Sequence, residues 1–300
     1  MPLTSKGRKS SFFRIKKQWR HNGQLYTIWN THSRLIFRKT RVVLHGELNG
    51  MLLRCCTHLK GHGGVKGAIR MLARHCPSYR FVARFDVARY YKSIRHDVLI
   101  DIVRNMGASA ESIAVVESYL RLPDFRTSGA GMTAGGSLSP LLGAVMLTPL
   151  DNAMTAMMRK ESIFYIRYMD DFVILAKTRH SFRRSIKCIH EIMHSLQLQL
   201  HKKKRFIGKL SAGFDFLGYI VKPGRRLRPS AESLRRLTTR FHRLYEQGAS
   251  SQRLWCYVER WCEWLWGGLD RLVSRKGGIR GILIQVLRSL GITGFPLPQM

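Results

Sequence analysis

The stretch Phe-Tyr-Ile-Arg-Tyr-Met-Asp-Asp-Phe-Val-Ile-Leu, residues 164–175, places two neighbouring aspartates inside a run of aromatic and β-branched residues. Such a run is typical of a β-strand, and strands are depleted in aspartate. Asp170 and Asp171 repel each other and lose hydration if they are partly buried, so another interaction must compensate them. If residues 168–172 form a tight hairpin, both carboxylates lie at its tip, where a divalent cation can bind.

Asp86 is the candidate third ligand, because it lies near the end of a second strand-like segment, residues 81–87. Two Mg²⁺ ions take carboxylate and phosphate oxygens, activate an attacking oxygen and stabilise a leaving one in phosphoryl transfer. The alternative is an ordinary aspartate-rich turn, since a Tyr-x-Asp-Asp arises by chance in about a few per cent of chains this long. Alternation in the second segment predicts one face with Phe81, Ala83 and Phe85 and another with Val82, Arg84 and Asp86.

The charge balance of the chain is strongly basic. Its 300 residues include 52 Lys and Arg against 18 Asp and Glu, a net charge of +34. A chain with this charge attracts polyanions with a salt-dependent affinity. The basic residues run the whole length, which favours a nucleic-acid partner over a merely basic, ribosomal-type protein. With 45% hydrophobic residues, one multi-lobed unit with a sizeable core is expected.

Membrane and disulfide signals are weak. The basic N-terminus has no apolar segment typical of a signal peptide, and no window approaches the roughly 18 apolar residues of a membrane span. The six cysteines show neither CxxC pairs nor zinc-like spacing, which predicts free thiols in a reducing compartment. We therefore expect a cytoplasmic protein with no membrane partner.

Hydrophobic periodicity predicts an α+β layout. Residues 1 to about 45 predict a basic, irregular arm, and the Gly-rich stretch 60–70 opens a helix through Leu72. Residues 97–121 predict helices, and a flexible loop over 128–140 precedes one apolar helix from Leu141 to about Met158.

The second half of the chain continues this alternation. It predicts a helix over 179–198, strands over 203–208 and 214–221, a linker over 224–230 and a helix over 231–246. In that last helix, Leu234, Leu237, Phe241 and Leu244 form an apolar stripe. The block 254–269 is dense in tryptophan at near-helical spacing, which favours a core or oligomer contact over base stacking.

Five blocks in the chain resemble the reverse transcriptases, and specifically the bacterial group spanning group II intron, retron, diversity-generating and defence-associated enzymes. They occur in the family's order over roughly residues 58–221. The blocks are RFDVARYYKSIRHDVL (84–99), GGSLSPLLGAVMLTPLD (135–151), Tyr-Met-Asp-Asp (168–171), Lys204 in KKKRFIG and GFDFLGY (213–219).

The resemblance implies a right-hand polymerase with fingers, a palm built on a ferredoxin-like antiparallel sheet, and a helical thumb. Residues 1–83 would be a basic arm and reduced fingers, residues 84–222 the palm with a fingers insertion at about 100–130, and residues 223–300 the thumb and tail.

The resemblance also assigns the chemistry. Asp86, Asp170, Asp171 and Lys204 would be catalytic, with Lys204 protonating the pyrophosphate leaving group. Two Mg²⁺ ions, for which Mn²⁺ can substitute, would be held by Asp86, the carbonyl of Val87, Asp170 and Asp171. For Lys204 the alternative is a solvated lysine in a basic run.

Further positions would bind the substrates. Tyr91 stands where the family places the aromatic that blocks a ribose 2′-hydroxyl, the alternative being a core aromatic beside Tyr90. The nucleotide-binding residues would be Lys60, Lys66, Arg70, Tyr91, Gly135, Ser139 and Pro140. The primer grip would be Phe216, Leu217, Gly218 and Tyr219. The arginines that follow the nucleic-acid backbone, or form a solvated basic face instead, are Arg235, Arg236, Arg240 and Arg243.

Two departures from the family pattern concern the template. The nucleotide-binding loop reads Ala134-Gly135 where the family usually has Gln-Gly, so the glutamine contacts near template and nucleotide are missing. The fingers motif Arg-x-Ile-x-Ile-Pro has only a degenerate counterpart at residues 34–43. Both departures put ordinary templating in question and leave the metal chemistry intact.

Three function classes follow. The first is an RNA-directed DNA polymerase with an RNA template, dNTPs and a DNA product. The second is a nucleotidyltransferase that extends DNA with little or unconventional templating, favoured by Ala134. The third is a non-catalytic RNA-binding protein, which three adjacent carboxylates argue against.

The biological setting is left open between two alternatives. One is antiviral defence with a dedicated non-coding RNA, and the other is a retron-like or diversity-generating element. A homo-oligomer or a partner protein is compatible with each. We expect no endonuclease, integrase, RNase H or full maturase domain in this chain.

Overall fold

The computed structural model describes residues 13–21, 24–121, 129–160, 162–269, 271–274 and 279–289. Its first elements are a hairpin and a long helix: β1 (Ile15–His21), β2 (Gln24–Trp29) and α1 (Thr31–Leu48). Asn30 caps the helix, since its side-chain oxygen accepts the Ser33 N–H at 2.9 Å. These elements replace the irregular arm that the sequence predicted; residues 1–12, 22 and 23 lie outside the described residues. The helical signal was missed because basic residues separate the buried positions Phe37, Thr40, Leu44 and Leu48.

Helix α2 (Gly64–His75) follows the Gly-rich stretch, as predicted. Gly63 stands before it with φ +95°, in the left-handed region that favours glycine. A Cβ at Gly63 would approach the Cα of Gly67 to 3.2 Å, so the glycines here allow a tight entry into the helix.

A four-stranded antiparallel sheet forms the centre of the molecule. Its strand order is β4-β5-β3-β6, and the chain enters it as strand–helices–strand–strand–helix–strand. This order and connectivity are ferredoxin-like, as predicted for the palm. The elements are β3 (Phe81–Asp86), α3 (Tyr90–Ser93), α4 (His96–Asn105), α5 (Ala110–Arg121), α6 (Ser139–Met146), α7 (Thr148–Lys160), β4 (Ile163–Tyr168), β5 (Asp171–Ala176), α8 (Arg179–Ser195) and β6 (Phe206–Lys209).

Each face of the sheet packs against its own hydrophobic core. Ala83 and Phe85 of β3 belong to the core shared with α4–α8, whereas Val82 belongs to the core beneath the C-terminal helices. Strand β5 alternates in the same way, with Phe172 on the first side and Val173 on the second. The two faces predicted for residues 81–86 are therefore present; Ala83 and Phe85 are buried on one, and Val82 is buried on the other beside the half-buried Arg84 and Asp86.

The single apolar helix predicted from Leu141 to about Met158 is two helices, α6 and α7, bent by 51°. Pro149 explains the break, because proline has no N–H for the Val145 carbonyl and its ring would clash with that group. The Thr148 hydroxyl donates to the Val145 carbonyl instead, at 2.8 Å.

The C-terminal part adds a small sheet and a helical layer. Residues 224–230, predicted as a linker, include a short strand that pairs with β8. The tryptophan-rich block is a helix whose Trp261, Trp264 and Trp266 pack on the second core, in line with the packing role predicted for it. The elements are β7 (Phe214–Phe216), β8 (Tyr219–Val221), β9 (Arg228–Pro229), α9 (Ala231–Glu246), α10 (Ser251–Trp266) and α11 (Ile279–Ser289).

Within the described ranges, no single helix is long and apolar enough to cross a membrane; only the bent pair α6–α7 passes, on length and composition alone. The six cysteines are all free thiols.

A fully buried ion pair joins α7 to the sheet. The Arg167 guanidinium on β4 donates through Nε to Asp151 Oδ1 at 2.8 Å and through Nη2 to Asp151 Oδ2. The Tyr165 hydroxyl donates to the same carboxylate at 2.8 Å, and Nη2 also reaches the Ala144 carbonyl at 3.3 Å. Both charges are thus matched and hydrogen-bonded, which burial in a core requires.

We expect Asp151→Asn to lower the free energy of unfolding by about 3–5 kcal/mol, because Arg167 would keep an uncompensated buried charge. The double variant Asp151→Leu with Arg167→Met should recover much of this loss. Asp101→Asn is the matched control, since its pair with Arg104 is exposed and worth about 1 kcal/mol or less. Urea unfolding measures all three, and equal losses for Asp151→Asn and Asp101→Asn would contradict the assignment.

Candidate active site

A tight turn joins β4 to β5, with Tyr168 and Asp171 facing each other in register. Met169, the first residue between them, has φ +57°, which two-residue hairpin loops require and non-glycine residues rarely adopt. Its N–H donates to His58 Nδ1 at 3.1 Å, and its carbonyl accepts from Arg167 Nη1 at 2.7 Å. The predicted hairpin is therefore present, and side chains from outside the turn hold it.

The ends of β3 and β5 bring the three predicted aspartates together. Asp86 and Asp171 are register partners, and the Val87 N–H donates to the Asp170 carbonyl at 3.2 Å. Direct cross-strand partners have Cβ atoms about 5 Å apart. The carboxylates consequently share one end of the sheet.

Two cations pair with two of these carboxylates. Arg84 binds Asp171 through both oxygens, with Nε at 3.0 Å and Nη2 at 2.8 Å, and its Nη1 lies 2.8 Å from Asp215 on β7. The Lys204 ammonium lies 3.3 Å from Asp86 Oδ1 on a side chain that is 57% exposed. Lys204 is thus beside the carboxylates, where the sequence placed it.

Burial, together with the nearby charges of Asp86 and Asp171, raises the pKa of Asp170 to about 6, although a backbone hydrogen bond and Lys204 act in the opposite direction. Burial also raises the pKa of Asp171, and Arg84 acts against that rise. A cation bound between Asp86 and Asp170 would relieve this crowding of negative charge.

The oxygens present suit a divalent cation that arrives with a phosphate ligand. Among the described residues, no three His, Cys, Asp or Glu side chains are arranged to hold a metal ion by themselves. The carboxylates of Asp86 and Asp170 and the carbonyl of Val87 are hard oxygen donors, the type that Mg²⁺ and Mn²⁺ prefer. The raised pKa of Asp170 supports the fit, because that charge is unfavourable without a nearby cation.

The paired tyrosines after Asp86 have different environments. Tyr90 is buried and its hydroxyl donates to the Gly143 carbonyl at 2.6 Å. Tyr91 is half-buried, and a Cβ at Gly143 would contact its ring at 3.3 Å. Burial raises the pKa of Tyr91, and the charge of Asp170 raises it further. Tyr90 is therefore the core aromatic, and Tyr91 lies within electrostatic reach of the candidate metal site.

The loop that precedes α6 is held by hydrogen bonds among buried side chains. Ser139 is fully buried; its hydroxyl donates to the Thr133 carbonyl at 2.6 Å and accepts from Tyr119 at 2.6 Å. A Cβ at Gly136 would lie 1.7 Å from the Tyr119 hydroxyl, so only glycine fits there. Ser139 was predicted to contact the nucleotide directly. In the structure its buried hydroxyl instead holds the loop through Thr133 and Tyr119. Gly135 is exposed with φ +75°.

Residues 25–221 match the family described as reverse transcriptase (RNA-dependent DNA polymerase). The chain belongs to the reverse transcriptase family.

Similar proteins include Protein YkfC of Escherichia coli (strain K12), 26% identical over 47% of this chain and 46% of YkfC. Among solved structures, apo telomerase from Candida tropicalis has a TM-score of 0.57 at 11% identity, covering 97% of this chain and 63% of that one. A form of that telomerase truncated from its C-terminal domain has a TM-score of 0.54 at 14% identity, covering 73% of this chain and 55% of that one. The predicted right-hand polymerase fold is confirmed. The chain spans about half the length of the curated relative it matches.

The three predicted triphosphate ligands of this chain do not share one site: Lys66 and Arg70 lie at the end of α10, whereas Lys60 borders a separate cleft. The Lys66 ammonium contacts the Tyr219 hydroxyl at 2.6 Å and the carbonyls of Trp264 and Leu265 at the C-terminal end of α10. This differs from the predicted triphosphate contact, because a helix C-terminus offers Lys66 negative partial charge. The Arg70 guanidinium lies beside Gly268, and Lys60 borders an open cleft of about 470 Å³ with His58. Nucleotide roles for Lys60 and Arg70 stay predictions.

The predicted primer grip is the β7–β8 hairpin. Leu217 (φ +46°) and Gly218 (φ +88°) form its two-residue turn. Phe216 and Tyr219 are fully buried, and the Tyr219 hydroxyl donates to the Leu265 carbonyl at 2.9 Å. The turn itself packs on the C-terminal helices, since the Ser233 hydroxyl donates to the Gly218 carbonyl at 3.0 Å. A contact with a primer stays a prediction.

The predicted faces of α9 are present. Leu237, Phe241 and Leu244 are buried, whereas the four arginines are exposed. Glu232 pairs with two of them, Arg235 and Arg236. Contacts of Arg235, Arg236, Arg240 and Arg243 with a nucleic-acid backbone stay predictions.

Sequence reasoning missed the residues that hold the catalytic turn. Burial lowers the pKa of His58 to about 4, so the ring is neutral at pH 7. Its Nδ1 accepts from Met169, and its Nε2–H donates to the Pro140 carbonyl at 3.0 Å, which links the turn to the nucleotide loop. Arg167 and Asp151 were missed as well. Arg84 was placed on the correct face of β3, and its partner was not identified.

We expect Asp170→Asn to be more stable than the wild type in metal-free buffer, by an amount that depends on pH. The native pKa of about 6 exceeds the ordinary 3.8, so the native wild type retains a proton that the unfolded chain releases. The stability difference should be near zero below pH 4, grow up to pH 6 and then stay constant at about 3 kcal/mol or less. Urea unfolding from pH 4 to 8 measures it. A pH-independent difference for Asp170→Asn would contradict the assignment.

Proposed function

We propose that this protein is an RNA-directed DNA polymerase that extends a DNA 3′ end with dNTPs by a two-metal mechanism. The observation that carries the proposal is the shared position of Asp86 and Asp170 beside Lys204, inside the matched region. The fold similarity to telomerase is consistent with it. RNA as template and DNA as product follow from the family's description as RNA-dependent DNA polymerase.

Asp86, Asp170 and the carbonyl of Val87 would hold two Mg²⁺ ions, or Mn²⁺ in their place. When bound, such ions lower the pKa of an attacking hydroxyl and neutralise charge on the phosphates. Asp171 contributes differently, since both its oxygens accept from Arg84. Because Arg84 also pairs with Asp215, this ion pair would keep the turn aligned with β7. Asp171 would have to release Arg84 before it could bind a metal ion.

Lys204 would act on the leaving group. Its exposed side chain reaches Asp86 without substrate, and the same ammonium can donate a proton to the departing pyrophosphate. Tyr91 would lie against the ribose and exclude a 2′-hydroxyl, because its ring packs beside Gly143 within electrostatic reach of Asp170.

A second candidate activity is DNA extension with little or unconventional templating. Ala134 favours it, because a methyl side chain cannot make the amide contacts of the usual glutamine. A dedicated non-coding RNA, a partner protein and a role in antiphage defence stay predictions from the resemblance.

Primer extension tests the proposed activity. The assay uses a DNA primer on an RNA template, on a DNA template and without a template. On RNA, the wild type should incorporate the dNTPs that are complementary to the template. Asp86→Ala and Asp170→Ala should each reduce the rate by roughly a hundredfold or more, the scale of losing one main electrostatic contact to a transition state. The control Asp101→Ala, an exposed carboxylate, should retain the rate. Incorporation without a template would favour the second activity, and wild-type activity in both site variants would overturn the proposal.

Tyr91→Ala should relax sugar discrimination, because removing the ring opens space for a 2′-hydroxyl. We expect the ratio of ribonucleotide to deoxynucleotide incorporation to rise roughly 10- to 100-fold, the usual effect of a steric change in a binding pocket. Tyr91→Phe keeps the ring and should keep the ratio. Single-nucleotide incorporation with dGTP and GTP measures both, and an unchanged ratio in Tyr91→Ala would contradict the assignment.

A further inference from the structure

A concave pocket lies at the end of the central sheet opposite the candidate active site. Its walls come from the C-terminal end of α2, the short 3₁₀ turn Cys76–Ser78 that precedes β3, the turn after β8, and residues 271–272. Strand β3 runs from this end to Asp86, and its six residues span about 20 Å. We call the cavity between residues 73–77, 221–227 and 271–272, of about 270 Å³, the rear pocket.

The rim of the rear pocket is cationic. No acidic residue among those described lines the pocket, whereas four basic residues do: Lys222, Arg225, Arg226 and Arg271. All four are exposed, and none of them makes an ion pair with another residue that the structure describes. Exposed arginines on helices, such as Arg104 and Arg121, instead pair with a carboxylate of their own helix. Like charges around one cavity repel each other, so a bound anion would stabilise this arrangement.

A rigid turn carries two of these cations. The Arg225 N–H donates to the Lys222 carbonyl at 3.2 Å, which closes a β-turn. Gly224 has φ +67°, as the third position of a type II turn requires, and Pro223 occupies the second position, where proline is favoured. The backbone therefore fixes where the side chains of Lys222 and Arg225 begin.

Backbone hydrogen bonds also hold the opposite wall. Leu227 forms a parallel bridge with Val273: its N–H donates to the Leu272 carbonyl at 2.8 Å, and its carbonyl accepts from the Ser274 N–H at 2.9 Å. This bridge ties the turn to the segment that carries Arg271. Cations from two separate parts of the chain consequently face one cavity.

The floor of the rear pocket is apolar and closed. Cys76, Val221 and Leu227 are each no more than 3% exposed. Burial raises the pKa of the Cys76 thiol to about 12, so the floor is uncharged at pH 7. A polymer cannot pass through a pocket that is closed at its floor, but the end of a polymer can enter it. The volume of about 270 Å³ lies just below the roughly 300–1,000 Å³ of pockets for drug-sized ligands, which suits a single nucleotide.

A terminal phosphate fits this pocket better than a carboxylate or an internal phosphodiester. A phosphomonoester carries a charge of about −1.5 to −2 at pH 7 and three acceptor oxygens, whereas the other two groups carry a single negative charge. Guanidinium groups bind phosphate oxygens in pairs. The faces of a nucleobase are apolar enough to pack on the floor.

We propose that the rear pocket binds a nucleoside 5′-monophosphate group, with the phosphate among Arg225, Arg226 and Arg271 and the base on the apolar floor. Two sources offer this group: a free mononucleotide and the 5′-terminal nucleotide of an RNA. An RNA bound in this way would be attached to the protein about 20 Å from Asp86, outside the candidate active site.

Equilibrium binding to the full chain separates this contact from general affinity for nucleic acid. The probes are two oligoadenylates with a 3′ fluorophore, a 5′-phosphorylated tetramer and a 5′-hydroxyl hexamer, which are matched in phosphate charge at roughly −5. Fluorescence anisotropy should show that the wild type binds the phosphorylated tetramer roughly 5- to 50-fold more tightly, the effect of one or two charge-assisted hydrogen bonds. Arg225→Ala and Arg271→Ala should each reduce this preference. The matched control Arg183→Ala, an exposed arginine of α8, should retain it.

A variant of the floor tests the pocket without changing its charge. Ala73 is half-buried and lines the cavity, so Ala73→Leu should fill part of it and weaken binding of the phosphorylated tetramer, with little effect on the hexamer. Competition then identifies the source of the ligand. AMP that displaces the tetramer at a concentration near its own would indicate a free mononucleotide, and a tetramer that binds tenfold or more tightly than AMP would indicate an RNA end.

Three outcomes would overturn the proposal. They are a wild type that binds both oligoadenylates equally, a preference that survives in both arginine variants, and displacement by inorganic phosphate or hexaglutamate at the same concentration as AMP. The last would show a surface that attracts any anion. The assay needs no catalysis, so its result is independent of the proposed polymerase activity. A chain that prefers the phosphorylated end and incorporates no dNTP would keep the rear pocket and lose the polymerase.

Discussion

Repulsion among three carboxylates at one end of a small sheet is the constraint on which this site depends. Arg84 compensates Asp171, and Lys204 lies beside Asp86. Asp170 makes no ion pair within the described residues, and burial raises its pKa to about 6. Cations of the protein therefore pair with two of the carboxylates, whereas the charge of Asp170 is only partly compensated by Lys204 and would be stabilised further by a bound cation. This is the electrostatic condition that a metal-dependent site needs before substrate binds.

The same constraint explains why side chains from several elements bind the two-residue turn between β4 and β5. Met169 adopts a backbone conformation that costs free energy for a non-glycine residue. His58 and Arg167 bind its N–H and its carbonyl, and Arg167 is itself fixed by Asp151. A buried pair of charges is not an efficient source of stability, but it requires a single arrangement of its hydrogen bonds. Here that arrangement determines where the carboxylate of Asp170 lies.

Local patterns predicted much of the fold and the centre of the site. Alternation in residues 81–87 gave the faces of β3, and helical spacing gave α9 with its arginines outward. The adjacency of Asp86 and Asp170 followed from two strand ends. Pro149 was visible in the sequence, yet the apolar run around it hid the break between α6 and α7.

Long-range partners were not predictable in this way. Lys66 is a cation in a Gly-rich stretch, as a phosphate ligand would be. Only the folded chain shows that its ammonium donates to carbonyls at the C-terminal end of α10. Ser139 matches a family motif, and only the packing of Tyr119 shows that its hydroxyl is buried. The pairing of Arg167 with Asp151 depends on how α7 lies across β4, which no local pattern encodes.

The contact of Lys66 with α10 also has a mechanical consequence. One ammonium joins a helix near the start of the chain to carbonyls almost 200 residues later, and the rings of Tyr219 and Trp264 enclose it. Moving α10 away from α2 would remove both carbonyl acceptors and the Trp264 ring from this ammonium and leave only Tyr219 on β8. A rotation of α10 relative to α2 would therefore require water to replace the carbonyl contacts of this ammonium.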